Sequence, residues 1–406
     1  MNVRPIEYRI PLALLICAGL VLGLSMGTRH VQGLFMLPLL EEHGWGRETF
    51  SFALGVQVLV WGVLQPVIGL VADRYGTARV IAAGCVAYAV GLVMEAHATT
   101  PFLLVLGTGL VTGLGLTATT FAVVYGALSR RVPPHLRGTA QGLAGGIGGL
   151  IQFVLVPLTQ AGIASIGWSN TLQVVAALMF IASATAWVLD DRNPEEKTDH
   201  PRPKARPVIG AALHHSGFWL LNLGFVSCGF QLAFLGAHLP AYLRDSGMSV
   251  SMGVHAIAII ALANAAGTYV CGRLVDAYRP KYLLSGLYAL RTAAMVAFVA
   301  LPLSPATLYL FALVMGLTWL GTVPLTSGVL AQIFGVRYIG ALFGLVFLGH
   351  QLGGFFGAWL GGVVYDTTHS YHWMWSISIA LGLASVVLNL PIRDRSIEHT
   401  LQAAPA

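Results

Sequence analysis

The sequence predicts an all-α integral membrane protein of twelve transmembrane helices arranged as two six-helix pseudo-repeats. Three observations carry that prediction. The chain is too apolar for a soluble domain: 56% of its residues are hydrophobic and 9% charged, with a mean hydropathy of +0.76, whereas soluble domains are about 25% charged. Its basic residues gather in alternate loops. Its second half repeats landmarks of its first.

Apolar segments of the roughly 20 residues needed to cross a bilayer begin near Ile10, Phe50, Val80, Pro101, Thr139, Asn170, Phe218, Met252, Tyr282, Thr307, Ile339 and Tyr371. No small-residue cleavage site follows the first of them, so it reads as a retained span and not a signal peptide. All but Arg29, Arg47, Arg244 and Arg291 of the 22 Lys and Arg residues lie in the tails and in alternate loops. The positive-inside rule places those loops and both termini in the cytoplasm of a cell whose inner membrane the chain spans, which requires an even number of spans. Arg47 and Arg244 then stand alone on the opposite face. The net charge of +6 follows from loops facing anionic lipid, and no nucleic acid partner is implied. Cys17, Cys85, Cys228 and Cys271 fall in or beside apolar segments without metal-ligand spacing, which predicts packing roles, no disulfide and no metal.

From Asp190 to Arg206 the chain is charged, contains proline and lacks apolar periodicity. This reads as a solvated linker, giving a first bundle over 1–189, a cytoplasmic linker over 190–213, and a second bundle with a short tail over 214–406. The halves share a register. Gly69 and Asp73 after the second span recur as Gly272 and Asp276 after the eighth, an offset of 203 residues, and Gly138 and Gly142 recur as Gly340 and Gly344 at 202. Parallel six-helix repeats are a transporter architecture.

The loop from Gly69 to Arg79 resembles the signature motif of the major facilitator superfamily, with the stretch around Asp276 as its degraded second copy. The resemblance covers nearly the whole chain and implies the major facilitator fold. It also implies that Gly69, Asp73, Arg74, Gly76, Arg79 and Asp276 form a conformational latch and not a substrate site. Asp73 can cap or pair at helix ends, Arg74 and Arg79 can bind acidic or carbonyl groups, and Gly69 is expected to allow close helix approach. Further glycines, Gly349, Gly353, Gly357 and Gly361, recur every four residues along the eleventh span, a stripe on which another helix can pack. Gln141, Gly145, Gly148 and Gln152 share a face of the fifth.

Polar residues inside spans are costly in lipid and should face a cavity or a partner. Arg29 precedes Pro38 by nine residues, about 14 Å from the outer end at 1.5 Å per residue, hence near the midplane. Arg291 is about 15 Å in from Lys281 on the same reckoning. His350 is similarly deep. The acidic residues lie in loops or near span ends, Glu95 being nearest to an exception. Positive charges without buried carboxylates suggest that the substrate supplies the negative partner and is an organic anion. The competing reading is that backbone carbonyls and hydroxyls satisfy each Arg.

Other faces converge on the same space: Gln57, Trp61 and Gln65; Ser227, Gln231, Phe234 and His238; Phe343, Phe347, His350 and Gly354; Asn264 and Thr268; Trp319, Thr322 and Thr326. Thr119 and Tyr125 on the fourth span and Gln152 on the fifth join the candidates. Aromatic walls with few polar groups suit a small amphipathic ligand, although aromatic stripes at helical spacing also arise from packing alone.

Within the superfamily, the run from Ser25 to Phe35 with the exit Gly44-Trp45-Gly46-Arg47 is similar to the monocarboxylate and oxalate/formate exchanger branch. That branch's first-helix lysine aligns with His30, beside Arg29. Its eighth span carries an Asp or Asn and then an Arg that binds the carboxylate; here Asn264 and Thr268 stand there, so the anchor falls to Arg29 or Arg291. His30 and His350 are the mid-span groups able to change charge near neutrality, with His238 and His255 nearer the outer ends.

The expectation is a monomeric secondary transporter of a small organic anion, a monocarboxylate, with proton symport favoured over exchange and no cofactor. The alternative is an exporter or facilitator of a neutral metabolite or drug-like compound, and more remotely a transporter-like receptor. Glycine-rich runs such as Gly145–Gly149 lie inside a span, so they are not dinucleotide loops, and no enzyme activity is expected.

Overall fold

The computed structural model describes residues 10–133, 136–190, 205–335 and 339–396, without the side chains of Asp73, Asp276 and residues 205–207. The spans are α1 (Leu12–His43), α2 (Arg47–Tyr75), α3 (Thr77–Ala96), α4 (Pro101–Arg131), α5 (Arg137–Ile166), α6 (Trp168–Leu189), α7 (Ser216–Asp245), α8 (Val250–Ala277), α9 (Pro280–Ala300), α10 (Pro305–Phe334), α11 (Ile339–Thr368) and α12 (His372–Asn389). Each starts within a turn of the position expected from sequence. Gly76 (φ 94°) and Gly167 (φ 85°) make the tight α2–α3 and α5–α6 turns, backbone that residues with a Cβ adopt only at a cost.

Buried side chains form one apolar core among α1–α6, which residues of α7, α8 and α11 join, and another among α7–α12. Lipid tails are as apolar as leucine, so these helices associate through close packing and polar contacts more than through the hydrophobic effect. The α11 stripe behaves as expected: a Cβ on Gly349, Gly353, Gly357 or Gly361 would collide with Asn222, the Val226 or Phe230 carbonyl, or His238 on α7. A second stripe on α1, Gly19, Gly23 and Gly27, receives Ile147, Ile151 and Leu155 of α5. One expectation needs correction. A Cβ on Gly69 meets nothing within 4 Å, so no helix approaches there. Within the expected cytoplasmic linker over 190–213, Ala205–His214 is a helix with Val208 and Ala212 buried, because the charged residues end at Arg206 and an apolar face begins; residues 191–204 of the stretch read as solvated lie outside the described residues.

Two spans are discontinuous at matching places. α4 starts with Pro101 behind Thr100, whose hydroxyl accepts from Leu103 N at 3.2 Å; it passes through a π-helical stretch, Val105–Val111, and breaks at Thr120 (φ −108°, ψ −173°). α10 starts with Pro305 behind a Ser304–Thr307 capping box and breaks between Thr318 and Thr322. Residues 203 apart serve the two breaks. Trp61 of α2 donates from Nε1 to Thr120 Oγ1 at 3.1 Å, and Asn264 of α8 accepts from Leu320 N at 3.0 Å. The same offset relates Tyr88, which donates to the Ser25 carbonyl at 3.0 Å, to Arg291, which donates to Cys228 Sγ at 3.2 Å. The pseudo-repeat thus extends to individual hydrogen bonds.

Candidate functional site

Interrupted helices in corresponding halves mark the binding region of many transporters, and the predicted residues gather around these two breaks. Arg29 lies with its guanidinium carbon 5.4 Å from the Trp61 ring centre. Trp61 meets Phe347 edge-on at 5.1 Å, and Phe347 stacks on His350 at 5.8 Å. His350 is fixed by Nδ1 against Gln351 Oε1 at 2.8 Å, and Gln351 donates to the Val58 carbonyl at 3.1 Å. On the other side of the centre His30 meets Trp319 edge-on at 5.7 Å, with Asn264 bound to the backbone just beyond.

Arg29 has no hydrogen bond or ion pair among the described residues, and its Nε is buried without an acceptor. It borders a small cleft that Gln32 and Gln57 share with Leu54, Leu232 and Ala358. Arg291 is the opposite case. It is wholly buried and donates to Thr318 Oγ1, Gln231 Oε1 and the Thr318 and Trp319 carbonyls as well as Cys228. Its donors are spent on the α10 break and on α7, which makes it a support behind Trp319 and not a group facing the cleft.

Several candidates turn inward to protein partners. Thr119 bonds the Gly115 carbonyl of its own helix, Gln231 donates to the Ser378 carbonyl at 2.8 Å, and Thr322 contacts Cys228 at 3.4 Å. Gln57 borders the cleft but gives its Nε2 to the Thr108 carbonyl at 3.0 Å. Tyr125 packs on Phe121 and Gly145, and Gln152 packs on Gly27. Of the latch, Arg74 stacks on Tyr75, Arg79 is exposed and Gly76 forms the turn, while the side chains of Asp73 and Asp276 lie outside the described residues.

A lock at the end opposite the termini, which sequence reasoning missed, joins the two cores. Arg47 at the start of α2 holds Asp245 at the end of α7 through bonds of 2.7 and 2.9 Å, donates to Tyr371 Oη at 2.8 Å, and stacks on Tyr365 at 3.5 Å. Asp366 of α11 accepts from the backbone N–H groups of Arg47 and Glu48 at 3.0 and 2.8 Å. It caps α2 from another helix, where a carboxylate suits the dipole. Arg244 pairs with Glu41 at 2.9 Å. The isolated pair of outer arginines was the available signal. Toward the termini, by contrast, Gly142, Gly146, Gly340 and Gly344 have no atom within 4 Å of a built Cβ.

The model of the Major Facilitator Superfamily matches residues 15–358. Among curated relatives, an uncharacterized MFS-type transporter, YcxA of Bacillus subtilis, is 23% identical over 395 residues, covering 92% of this chain and 94% of its own. Monocarboxylate transporter 13 of Bos taurus is 27% identical over 376 residues, covering 91% and 86%. Among solved structures, the inward open conformation of the xylose transporter XylE from E. coli superposes with a TM-score of 0.70 at 13% identity, covering 96% of this chain and 97% of that one. An inward-facing bacterial homolog of the human lysosomal transporter Spinster gives 0.68 at 18%, covering 93% and 94%. With twelve spans among the described residues, paired helix breaks and a family match over most of its length, the chain belongs to the Major Facilitator Superfamily and is a multi-pass membrane transporter, not an enzyme.

Proposed function

We propose that this transporter carries a small organic anion, a monocarboxylate, by alternating access with proton symport. The observation that carries the reading is Arg29: a cation at mid-membrane, bordering a cleft, with no counter-ion among the described residues. A buried charge without a partner is expensive, and a carboxylate in the cleft supplies the partner. Its apolar part would rest on Trp61 and Phe347. The likeness to relatives named monocarboxylate transporters supports the class. Since Asn264 is engaged by the α10 backbone and Arg291 is spent, Arg29 is the anchor that remains.

The bundles over 1–189 and 214–406 rock about this site, joined by the segment 190–213. With both termini cytoplasmic, as the basic loops imply, the Arg47–Asp245 lock seals the outer face of the cell's inner membrane and the cleft opens inward. The Gly69–Arg79 latch then acts in the opposite state. A second reading, a neutral metabolite or drug-like compound, is favoured by the aromatic wall, with Arg29 held only by Trp61.

The test is uptake into proteoliposomes of a radiolabelled panel of monocarboxylates, dicarboxylates and neutral metabolites, with and without an inward proton gradient. A carboxylate that accumulates under the gradient supports the proposal. Selective uptake of a neutral compound, undiminished in Arg29→Gln, supports the second reading instead.

A further inference from the structure

Glu95 is a fully buried carboxyl one residue before the end of α3. Gln32 donates from Nε2 to its Oε2 at 3.2 Å, the Thr108 hydroxyl lies against the carboxyl, and Gln32 Oε1 has no hydrogen-bond partner. Thr108 adjoins the carboxyl from the π-helical stretch of α4, and single π-helical turns recur at functional sites. Gln32 also borders the cleft beside Arg29, and Gln57 reaches from that cleft to the Thr108 carbonyl. One buried acid is therefore tied to the substrate cleft on two sides.

The pseudo-repeat shows that the fold does not require this polarity. At the offset of 203, Gln32, Glu95 and Thr108 correspond to Leu235, Phe298 and Phe311. All three are buried, and the two phenylalanines stack at 4.1 Å. An apolar trio fills in one half the place that a carboxylic acid and two polar partners fill in the other.

The surrounding charges do not balance an ionised Glu95. Facing it are Tyr88 on its own helix, whose hydroxyl is given to Ser25, and beyond that Arg29 of α1. His30 of α1 turns to Trp319, and Arg47 of α2 is committed to Asp245. The basic residues of α4 are Arg130 and Arg131 at its far end, and α6 carries no ionisable side chain. An ionised carboxylate here would be buried without a cationic partner, a costly state. A proton removes the charge and supplies a donor that Gln32 Oε1 or Thr108 Oγ1 accepts.

We propose that Glu95 is the proton-carrying group of the transport cycle, and that Gln32 links its protonation to anion binding beside Arg29. The proposal rests on the proton-coupled reading above and replaces the histidines in that role. His350 is already pinned by Gln351, and His30 adjoins Arg29, where a second positive charge is repelled.

The direct test needs no substrate. Infrared difference spectra of the full-length protein in liposomes are titrated from about pH 5 to about pH 9, with thermal melts to establish that each variant folds. A protonated-carboxyl C=O band should titrate in the wild type, vanish in the isosteric Glu95→Gln, and shift in Gln32→Leu. The absence of a titrating band, a band unchanged in Glu95→Gln, or its suppression by sodium ions at constant pH overturns the proposal. In parallel, with L-lactate as the probe, Glu95→Gln should keep exchange at equal pH and lose accumulation driven by a proton gradient. Accumulation retained in Glu95→Gln also overturns it. If the wild type moves no lactate, the functional reading is what suffers, while the infrared titration still decides whether Glu95 holds a proton.

Discussion

Arg47 and Asp245 meet through two hydrogen bonds of 2.7 and 2.9 Å, one residue at the start of α2 and the other at the end of α7, so this ion pair bridges the two bundles. Arg47 is only 9% exposed and also engages Tyr371 and Tyr365, which limits the screening that weakens surface pairs. Arg47→Gln should cost the sealed state about 2 kcal/mol, or roughly 30-fold in population. Spin-label distances between the outer ends of α2 and α7 should broaden toward longer separations. The charge-swapped pair Arg47→Asp with Asp245→Arg should restore them in part; no change in Arg47→Gln would show that the tyrosine stacking and the Asp366 cap hold the seal alone.

The glycine stripe makes a prediction with an internal control. A Cβ on Gly353 strikes the Val226 carbonyl, whereas one on Gly344 of the same helix meets nothing within 4 Å. Gly353→Ala should destabilise the purified protein by about 1–3 kcal/mol through overpacking, while Gly344→Ala should be neutral or gain up to about 1 kcal/mol from helix propensity. Thermal melts in detergent distinguish them. Equal melting temperatures would mean that α7 and α11 separate without cost.

Much of this fold was legible in the sequence because a bilayer imposes a length and a polarity on every span. The first turns of α2, α5 and α10 were missed because Arg47, Arg137 and the Ser304–Pro305 cap are polar helix starts outside the apolar window. The site was legible only in part. Arg29, Trp61, Phe347 and His350 meet as expected, since a mid-span charge and aromatics at helical spacing leave few alternatives. Thr119, Gln231 and Thr322 looked identical in sequence but spend their polar atoms on neighbouring backbone or thiol, a distinction that depends on rotation about the helix axis. The offset that relates Gly69 to Gly272 also relates Trp61 to Asn264 and Tyr88 to Arg291. Carried further along the chain, it contained the structural role of Arg291.

Beyond the last span, Asp394 offers a pH probe outside the membrane. Arg279 donates to it from Nε at 2.9 Å and Lys281 lies at 3.5 Å. The Arg279 hydrogen bonds hold its carboxyl below the usual carboxylate value, with the Lys281 charge adding to the effect. A depressed folded-state value means that the contribution is complete above the unfolded value of about 3.9 and is lost as pH falls through the folded one. Wild-type melting temperature should therefore drop below about pH 4, and Asp394→Asn should remove that component of the decline. A decline identical in the two proteins would assign acid sensitivity elsewhere.

The central claim, that the unpaired mid-membrane charge belongs to the ligand, is tested by comparing Arg29→Gln with Arg291→Gln in equilibrium binding and thermal melts, using the carboxylate that the uptake panel identifies. Arg29→Gln should lose about 2–5 kcal/mol of binding with its melting temperature kept. Arg291→Gln, which strips donors from the Thr318 and Trp319 carbonyls, should lose about 3 kcal/mol of stability with affinity largely kept. Normal binding by a folded Arg29→Gln would contradict the account.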